Sequence, residues 1–255
     1  MNVLELLSEY PEGVALAEIA RTLATPLSGT ERLLGALVAR DFVEEICGSR
    51  SYRLRLKLSA MGFRFLSQTG LLDICQPILD RLAAGTGEHI RMALVEDDAL
   101  RWVGRAQGSR FGLHYDPDMG SPLVLHATAS GRAWLATLPP EEARRIVAER
   151  GFEVPDRFGR QKIRSLDDLD IELDRTRRRG YGLTVGEIEP GSAAVAMAID
   201  IGTSKPAPGA ISVLGPITRM SPLDLEGIVE QLRIAVLQIG EAWPILEVYR
   251  SKAGF

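Results

Sequence analysis

Two stretches, Pro26-Leu27-Ser28-Gly29-Thr30-Glu31-Arg32-Leu33-Leu34 and Tyr52-Arg53-Leu54-Arg55-Leu56-Lys57, decide how the first part of this chain folds. In the first, apolar residues continue at helical spacing through Leu37 and Val38. Ser28 and Glu31 have capping-box spacing, in which the serine hydroxyl accepts an amide and the glutamate reaches back. A helix starting at Ser28 is expected, with Leu33, Leu34, Leu37 and Val38 inward and Thr30, Glu31, Arg32, Gly35 and Ala36 outward or along the flank. After Asp41 the period drops to two: Tyr52, Leu54 and Leu56 alternate with Arg53, Arg55 and Lys57. Phe42 to Ile46 can pair with them across Cys47-Gly48-Ser49-Arg50, giving a hairpin with a basic face.

Working upstream, Asn2 to Glu9 reads as a short helix stopped by Tyr10-Pro11-Glu12-Gly13. Ala15 to Ala24 reads as a second, with Leu16, Ile19, Ala20 and Leu23 on its apolar side. Three short helices followed by a two-stranded hairpin form the winged helix-turn-helix pattern, in which the third helix enters the major groove and the hairpin lies along phosphates. The charge distribution agrees. The chain as a whole has 30 Lys+Arg against 34 Asp+Glu, a net −4, and lacks bulk basicity. From Arg32 to Arg64, however, seven basic residues face three acidic ones.

Downstream, Leu58 to Thr69 reads as a connecting helix, with Leu58, Met61 and Phe65 as a dimer seam or domain contact, and Leu71 to Ala84 as another helix. Strands are expected over His89 to Glu96 and Leu100 to Ala106, turned by Asp97-Asp98, and over Tyr181 to Ile188, Ala193 to Ile201 and Gly209 to Leu214. Helices are expected from about His126 to Leu138, from Glu141 to Arg150, in a segment ending at Arg177-Arg178-Arg179-Gly180, and from Pro222 to about Trp243. Strand pairs with helices at both ends imply an antiparallel sheet with helices packed on it, so the fold class is α+β. The organisation expected is a winged helix-turn-helix domain over 1–57, a linker helix over 58–70 and a second domain over 71–255.

Composition bounds the remaining classes. A chain of 255 residues with 45% apolar and 25% charged residues is ordinary globular material with room for two cores. No membrane-spanning apolar run and no basic leader are read, Glu5 and Glu9 lie near Met1, and a soluble cytoplasmic protein is expected. Two cysteines, Cys47 and Cys75, make no disulfide framework, and His89, His114 and His126 have no close Cys or His companion, so no metal is expected. Catalysis is not expected either. Ser130, His126 and Asp116 could be offered as a triad, but Ser130 and His126 lie four apart on one predicted helix and no Gly-x-Ser-x-Gly elbow is present. No dinucleotide or phosphate-loop fingerprint occurs, and no cofactor is expected.

The order of these parts resembles the IclR family of bacterial transcription regulators. The phrases that carry the resemblance are Pro26 to Leu34, Tyr52-Arg53-Leu54, Leu125-His126-Ala127-Thr128-Ala129-Ser130-Gly131-Arg132-Ala133, Arg179-Gly180-Tyr181 and Ile211-Ser212-Val213-Leu214-Gly215-Pro216. It implies a winged helix, a linker helix and a GAF-like domain that binds a small effector, in a homodimer or dimer of dimers on double-stranded operator DNA. Leu27 departs from the pattern, since the family commonly has a basic or polar residue there; a modest number of phosphate contacts and a shallow salt slope are expected. The rival reading is a GAF-like sensor whose helical front end makes protein contacts instead.

On the DNA side, Arg32 is the candidate base reader, because a guanidinium engages guanine O6 and N7 together; the bland alternative is an ion pair with Glu31 or Asp41. Ser28 and Thr30, with Glu31 beside them, would sit at phosphates near a helix N-terminus, and Arg50, Arg53 and Arg55 along the wing. On the effector side the resemblance implies Ala129, Ser130, Thr184, Ser192, Ala194, Ser212 and Leu214. Where glyoxylate- and pyruvate-responsive relatives place an acidic residue, a cysteine and a second serine, this chain has Thr184, Ala194 and Leu214. Thin polarity of this kind implies a small organic acid with a larger, more apolar body, of the aromatic class. Phe111, Leu113, His114, Tyr115 and Asp116 read equally as a loop closing over that cavity, with Trp102 as wall, or as a packing loop.

Overall fold

The computed structural model describes residues 2–108, 123–156, 158–203 and 206–252, in two compact units, Met1–Thr69 and Gly70–Phe255. Phe111, Leu113, His114, Tyr115 and Asp116 lie outside the described residues.

In the first unit, α1 (Asn2–Ser8), α2 (Leu16–Thr22) and α3 (Leu27–Ala39) precede the hairpin of β2 (Val43–Ile46) and β3 (Ser51–Leu54), and α4 (Lys57–Gln68) follows. The core is Val3, Leu7, Val14, Leu16, Ile19, Leu34, Val43 and Tyr52, drawn from all three helices and from the wing. A two-residue strand, β1 (Val14–Ala15), pairs antiparallel with β3 on the side away from β2, so the wing is a three-stranded sheet. Two residues carry no readable alternation, which is why the sequence shows only a hairpin.

Helix α3 departs from expectation at its start. It begins at Leu27 with Pro26 as the cap residue, and no side chain caps it. The Ser28–Glu31 capping box is therefore not formed. Proline already holds φ at −60°, pre-set for helix entry, and its carbonyl accepts the Thr30 amide at 3.0 Å. Starting there, the inward stripe is Thr30, Leu34 and Leu37, while Leu33 and Val38 sit on the flanks and are exposed. Thr30 is buried: its hydroxyl donates to Pro26 O at 3.1 Å and shares a 2.8 Å hydrogen bond with Thr25 Oγ1.

In the second unit, α5 (Leu71–Thr86) leads to β4 (His89–Glu96) and β5 (Ala99–Gln107). Next come α6 (Ala129–Leu135), α7 (Pro140–Arg150), α8 (Leu166–Arg179), β6 (Gly182–Val185), β7 (Ser192–Ala198), β8 (Gly209–Pro216) and α9 (Pro222–Lys252). The five strands form one antiparallel sheet in the order β5-β4-β8-β7-β6. Helices α5 and α9 pack together and on one face; α6 crosses β6, β7 and β8 on the other, with α8 against it. Helix α6 is shorter than the sequence implied. Thr128 caps it by accepting the Gly131 amide at 3.1 Å, which leaves His126 in the turn before it rather than on it.

Candidate functional site: a helix face and a sheet face

On α3 the residues opposite the buried stripe are Ser28, Arg32, Gly35, Ala36 and Ala39, all exposed. Nothing lies within 4 Å of where a Cβ would stand on Gly29 or Gly35. A helix face this smooth can press close to a large partner, with Arg32 the one long side chain at its centre. Arg32 forms no ion pair among the described residues, and its alternative partner Asp41 is engaged by Arg55 Nη1 at 2.6 Å. Glu31 is exposed beside it. Thr30 drops out: buried against Pro26 and Thr25, it cannot reach a phosphate.

The wing is less basic than its sequence. Arg53 Nε donates to Glu44 Oε1 at 2.6 Å, directly across the β2–β3 register, and Arg55 is bound to Asp41 with Glu44 at 3.8 Å. Lys57 Nζ donates to Arg40 O at the end of α3 and lies over the Phe42 ring. These pairs are well exposed, worth about 0–1 kcal/mol each, and readily exchanged for phosphate. Arg50 stands at the hairpin tip, exposed, with φ of +47°.

On the sheet face under α6, cross-strand register aligns two rows: Arg91–Ser212–Ala196–Gly182 and His89–Leu214–Ala194–Thr184. All but Arg91 are buried. Ala129 and Ala133 of α6 pack with Ala194, Ala196 and Leu214. That contact is close enough to require glycine: a Cβ on Gly182 would stand 2.1 Å from Ala129 O, and one on Gly131 2.1 Å from Leu125 O. The seven expected effector residues thus gather on α6 and on β6, β7 and β8. Their polarity is thinner still in space, because the Ser192 hydroxyl donates to Glu189 O at 2.8 Å inside the turn after β6. Ser212 differs. It is buried, and its Oγ has no hydrogen-bond partner among the described residues; the Trp134 Nε1 on α6 is in the same position.

Two features were not singled out from sequence. The Arg91 guanidinium lies over the Trp102 ring, 4.0 Å from its centre, next to Ser212 in register. Behind α6, Arg132 is fully buried: Nε donates to His126 O, Nη1 to Leu183 O, both at 2.8 Å, and both terminal nitrogens to the Glu187 carboxylate at 3.1 and 2.5 Å. Burial pushes the Glu187 carboxyl up, but Arg132 and then Lys162 outweigh it and leave it below the usual carboxylate range. Burial, reinforced by the Arg132 charge against a smaller pull from Glu187, lowers His126 to about 4. The imidazole is neutral at physiological pH and packs on Phe152. An arginine inside an apolar phrase reads as surface until its partner, 55 residues away, is known. Of the C-terminal arginines of α8, Arg177 donates to Ala136 O and Leu138 O, the end of α6, and Arg179 to Glu172.

A winged helix joined to an antiparallel-sheet domain with a small-residue face under a capped helix defines a class of bacterial DNA-binding regulator. The chain belongs to the IclR family: residues 1–46 match the family model of the IclR helix-turn-helix domain, and residues 63–241 that of the bacterial transcriptional regulator IclR C-terminal domain. Among curated proteins it is 29% identical over 234 residues to the probable transcriptional regulator SauR of Cupriavidus necator, covering 92% of this chain and 91% of that one. Among solved structures it is similar to an IclR transcriptional regulator from Alicyclobacillus acidocaldarius (TM-score 0.81, 25% identity, 94% of each chain). An IclR homologue from Microbacterium hydrocarbonoxydans, solved in complex with 4-hydroxybenzoate, shares the fold (TM-score 0.71, 23% identity, 89% of this chain and 90% of that one). No helix among the described residues is long and apolar enough to cross a membrane.

Proposed function

We propose that this IclR-family regulator binds a palindromic operator as a homodimer or dimer of dimers and that a small organic acid of the aromatic class tunes that binding. The observation that carries the DNA reading is the smooth outward face of α3 with Arg32, free of an ion pair among the described residues, at its centre. Arg32 reads a base, Ser28 sits at a phosphate beside it, Arg50 reaches a phosphate from the hairpin tip, and Arg53 and Arg55 do so once Glu44 and Asp41 release them. Residues 1–57 form the DNA-reading part, 58–70 the linker and 71–255 the effector and oligomerisation part. Leu58, Met61 and Phe65, spaced along one side of α4 with Met61 and Phe65 41% and 46% exposed, are the surface a second copy covers.

The effector reading rests on Ser212, a buried hydroxyl without a partner among the described residues, set beside Ala194, Ala196 and Leu214. An orphaned buried donor costs about 1–3 kcal/mol, and a ligand oxygen relieves it. The relative crystallised with 4-hydroxybenzoate lends weight to the aromatic class. Effector control requires different affinities for two arrangements of the DNA-reading parts. Calorimetric titration of the full chain with pyruvate, glyoxylate and benzoates tests the effector class. Tighter binding of benzoates is expected; tight binding of the short 2-oxo acids alone contradicts it.

A further inference from the structure

We propose that Trp134 is a specificity-determining residue of the effector site, where its indole N–H and the Ser212 hydroxyl together require a ligand group that accepts hydrogen bonds, a carboxylate. The inference rests on the effector reading above and adds to it a residue of α6 outside the set taken from the family phrases.

Helix spacing gives the indole its direction. Ala129 and Ala133, four apart, press α6 onto Ala194, Ala196 and Leu214 of β7 and β8. Arg132, one residue before Ala133, turns toward the β6 side, where it donates to Leu183 O and to Glu187. Successive residues turn by about 100° around a helix axis, so Trp134, one residue after Ala133, turns the other way, toward β8, β4 and β5. Its neighbours agree: the side chain is buried and shares an apolar cluster with Ala93 of β4 and Leu100 of β5. Ser212 lies between these two contacts. It pairs with Ala196 on one side, while Ala93 pairs with Ala210, which is two residues from Ser212 and on the same face of β8.

Both Trp134 Nε1 and Ser212 Oγ are buried without a hydrogen-bond partner among the described residues. One stands on the helix and the other on the sheet beneath it. Two such groups are costly in a folded protein, and a ligand that pairs with both removes the cost. Their chemistry restricts that ligand. An indole N–H only donates, and a serine hydroxyl donates once its oxygen is not the sole acceptor on offer. A carboxylate presents two acceptor oxygens and satisfies both groups. An amine in its place would meet the indole donor to donor and leave the N–H buried and unpaired.

The test is isothermal calorimetry on the full chain with benzoate and aniline, for the unchanged protein, Trp134→Phe and Ser212→Ala. Phenylalanine keeps an aromatic ring and removes the N–H. The unchanged protein is expected to bind benzoate at least about tenfold more tightly than aniline, which is uncharged at neutral pH and offers a donor. Trp134→Phe is expected to weaken benzoate about tenfold and leave aniline within about twofold, whereas a loss of packing alone would weaken both alike. Ser212→Ala should weaken benzoate several-fold. Undiminished benzoate binding in Trp134→Phe, or equal loss of benzoate and aniline, would overturn the assignment of Trp134 while the acid-effector reading stands. Should Trp134→Phe fail to fold, the indole N–H resonance of Trp134 in the unchanged protein decides, assigned by elimination with Trp102→Phe and Trp243→Phe. It is expected to move downfield as benzoate saturates the protein, and an unmoved signal would overturn the assignment. Absence of benzoate binding by the unchanged, folded protein would overturn the aromatic reading and this proposal together.

Discussion

Arg32 and His126 show how differently a single side chain can act in this molecule. Arg32 is exposed at the centre of a face of small residues, so its removal leaves the fold untouched and strikes only what it reads. Arg32→Ala is expected to cost about 1–3 kcal/mol of discrimination between operator and scrambled duplex, measured as the ratio of their dissociation constants, with scrambled binding reduced far less. Equal loss on both would show a phosphate contact instead. His126 is buried between Phe152 and the Arg132–Glu187 pair, and its effect is on stability. Its folded pKa of about 4 lies below the unfolded value of about 6.5, so the unfolded chain binds the extra proton between those values. Stability is therefore complete above about pH 6.5 and falls by roughly 3 kcal/mol as pH drops toward 4. Urea melts of wild type and His126→Gln across that window should differ in slope; parallel curves would contradict the assignment. Glu187, lowered in the fold, contributes stability at neutral pH that is lost only in more acid solution, as pH falls through its depressed value. Removing Arg132 or Glu187 alone strands a buried charge, and a loss of about 3–5 kcal/mol on denaturant unfolding is expected for either.

Among the elements, the wing and α6 separate what is legible in sequence from what is not. The alternation of Tyr52 and Leu54 with Arg53 and Arg55 marks β3 without further help, and His89–Glu96 is bounded as a strand by its own pattern. The neutralisation of the wing is not legible, because Glu44 and Asp41 meet Arg53 and Arg55 only once the hairpin register is set. It predicts that Glu44→Gln, which frees Arg53 and removes a negative charge from the wing, tightens binding to operator and scrambled duplex alike by several-fold. The plot of log K against log salt should also steepen, with a stability change below about 1 kcal/mol. Unchanged affinity in anisotropy titrations would place the wing off the DNA. On α3 the apolar residues alone misassigned the stripe: a buried threonine, tied to Pro26 and Thr25, took the place that Leu33 and Val38 were expected to share. On α6 the Ala-Ser-Gly-Arg-Ala run is a packing code. Glycine admits the Leu125 backbone, alanines admit the sheet, and arginine reaches through to Glu187.

At the scale of the whole molecule, the order of helices and strands was readable because local periodicity is strong. The proposed effector face was picked out mainly through the family phrases, since alanines and a leucine carry no chemical signature of their own. What stayed hidden was everything made by distant strands meeting: Arg91 beside Ser212 across β4 and β8, and the stack on Trp102. Sequence-preferring, salt-sensitive binding of operator DNA by the full chain is the property on which the proposed function depends. Fluorescence anisotropy of the purified protein against the DNA upstream of its own gene and a scrambled duplex, over a salt series with and without benzoate, tests it most directly. Tighter binding to the upstream DNA, a log–log decline with salt of modest slope, and a shift in that affinity when benzoate is added are expected. Equal affinity for both duplexes, or no binding by the folded protein in either condition, would contradict it.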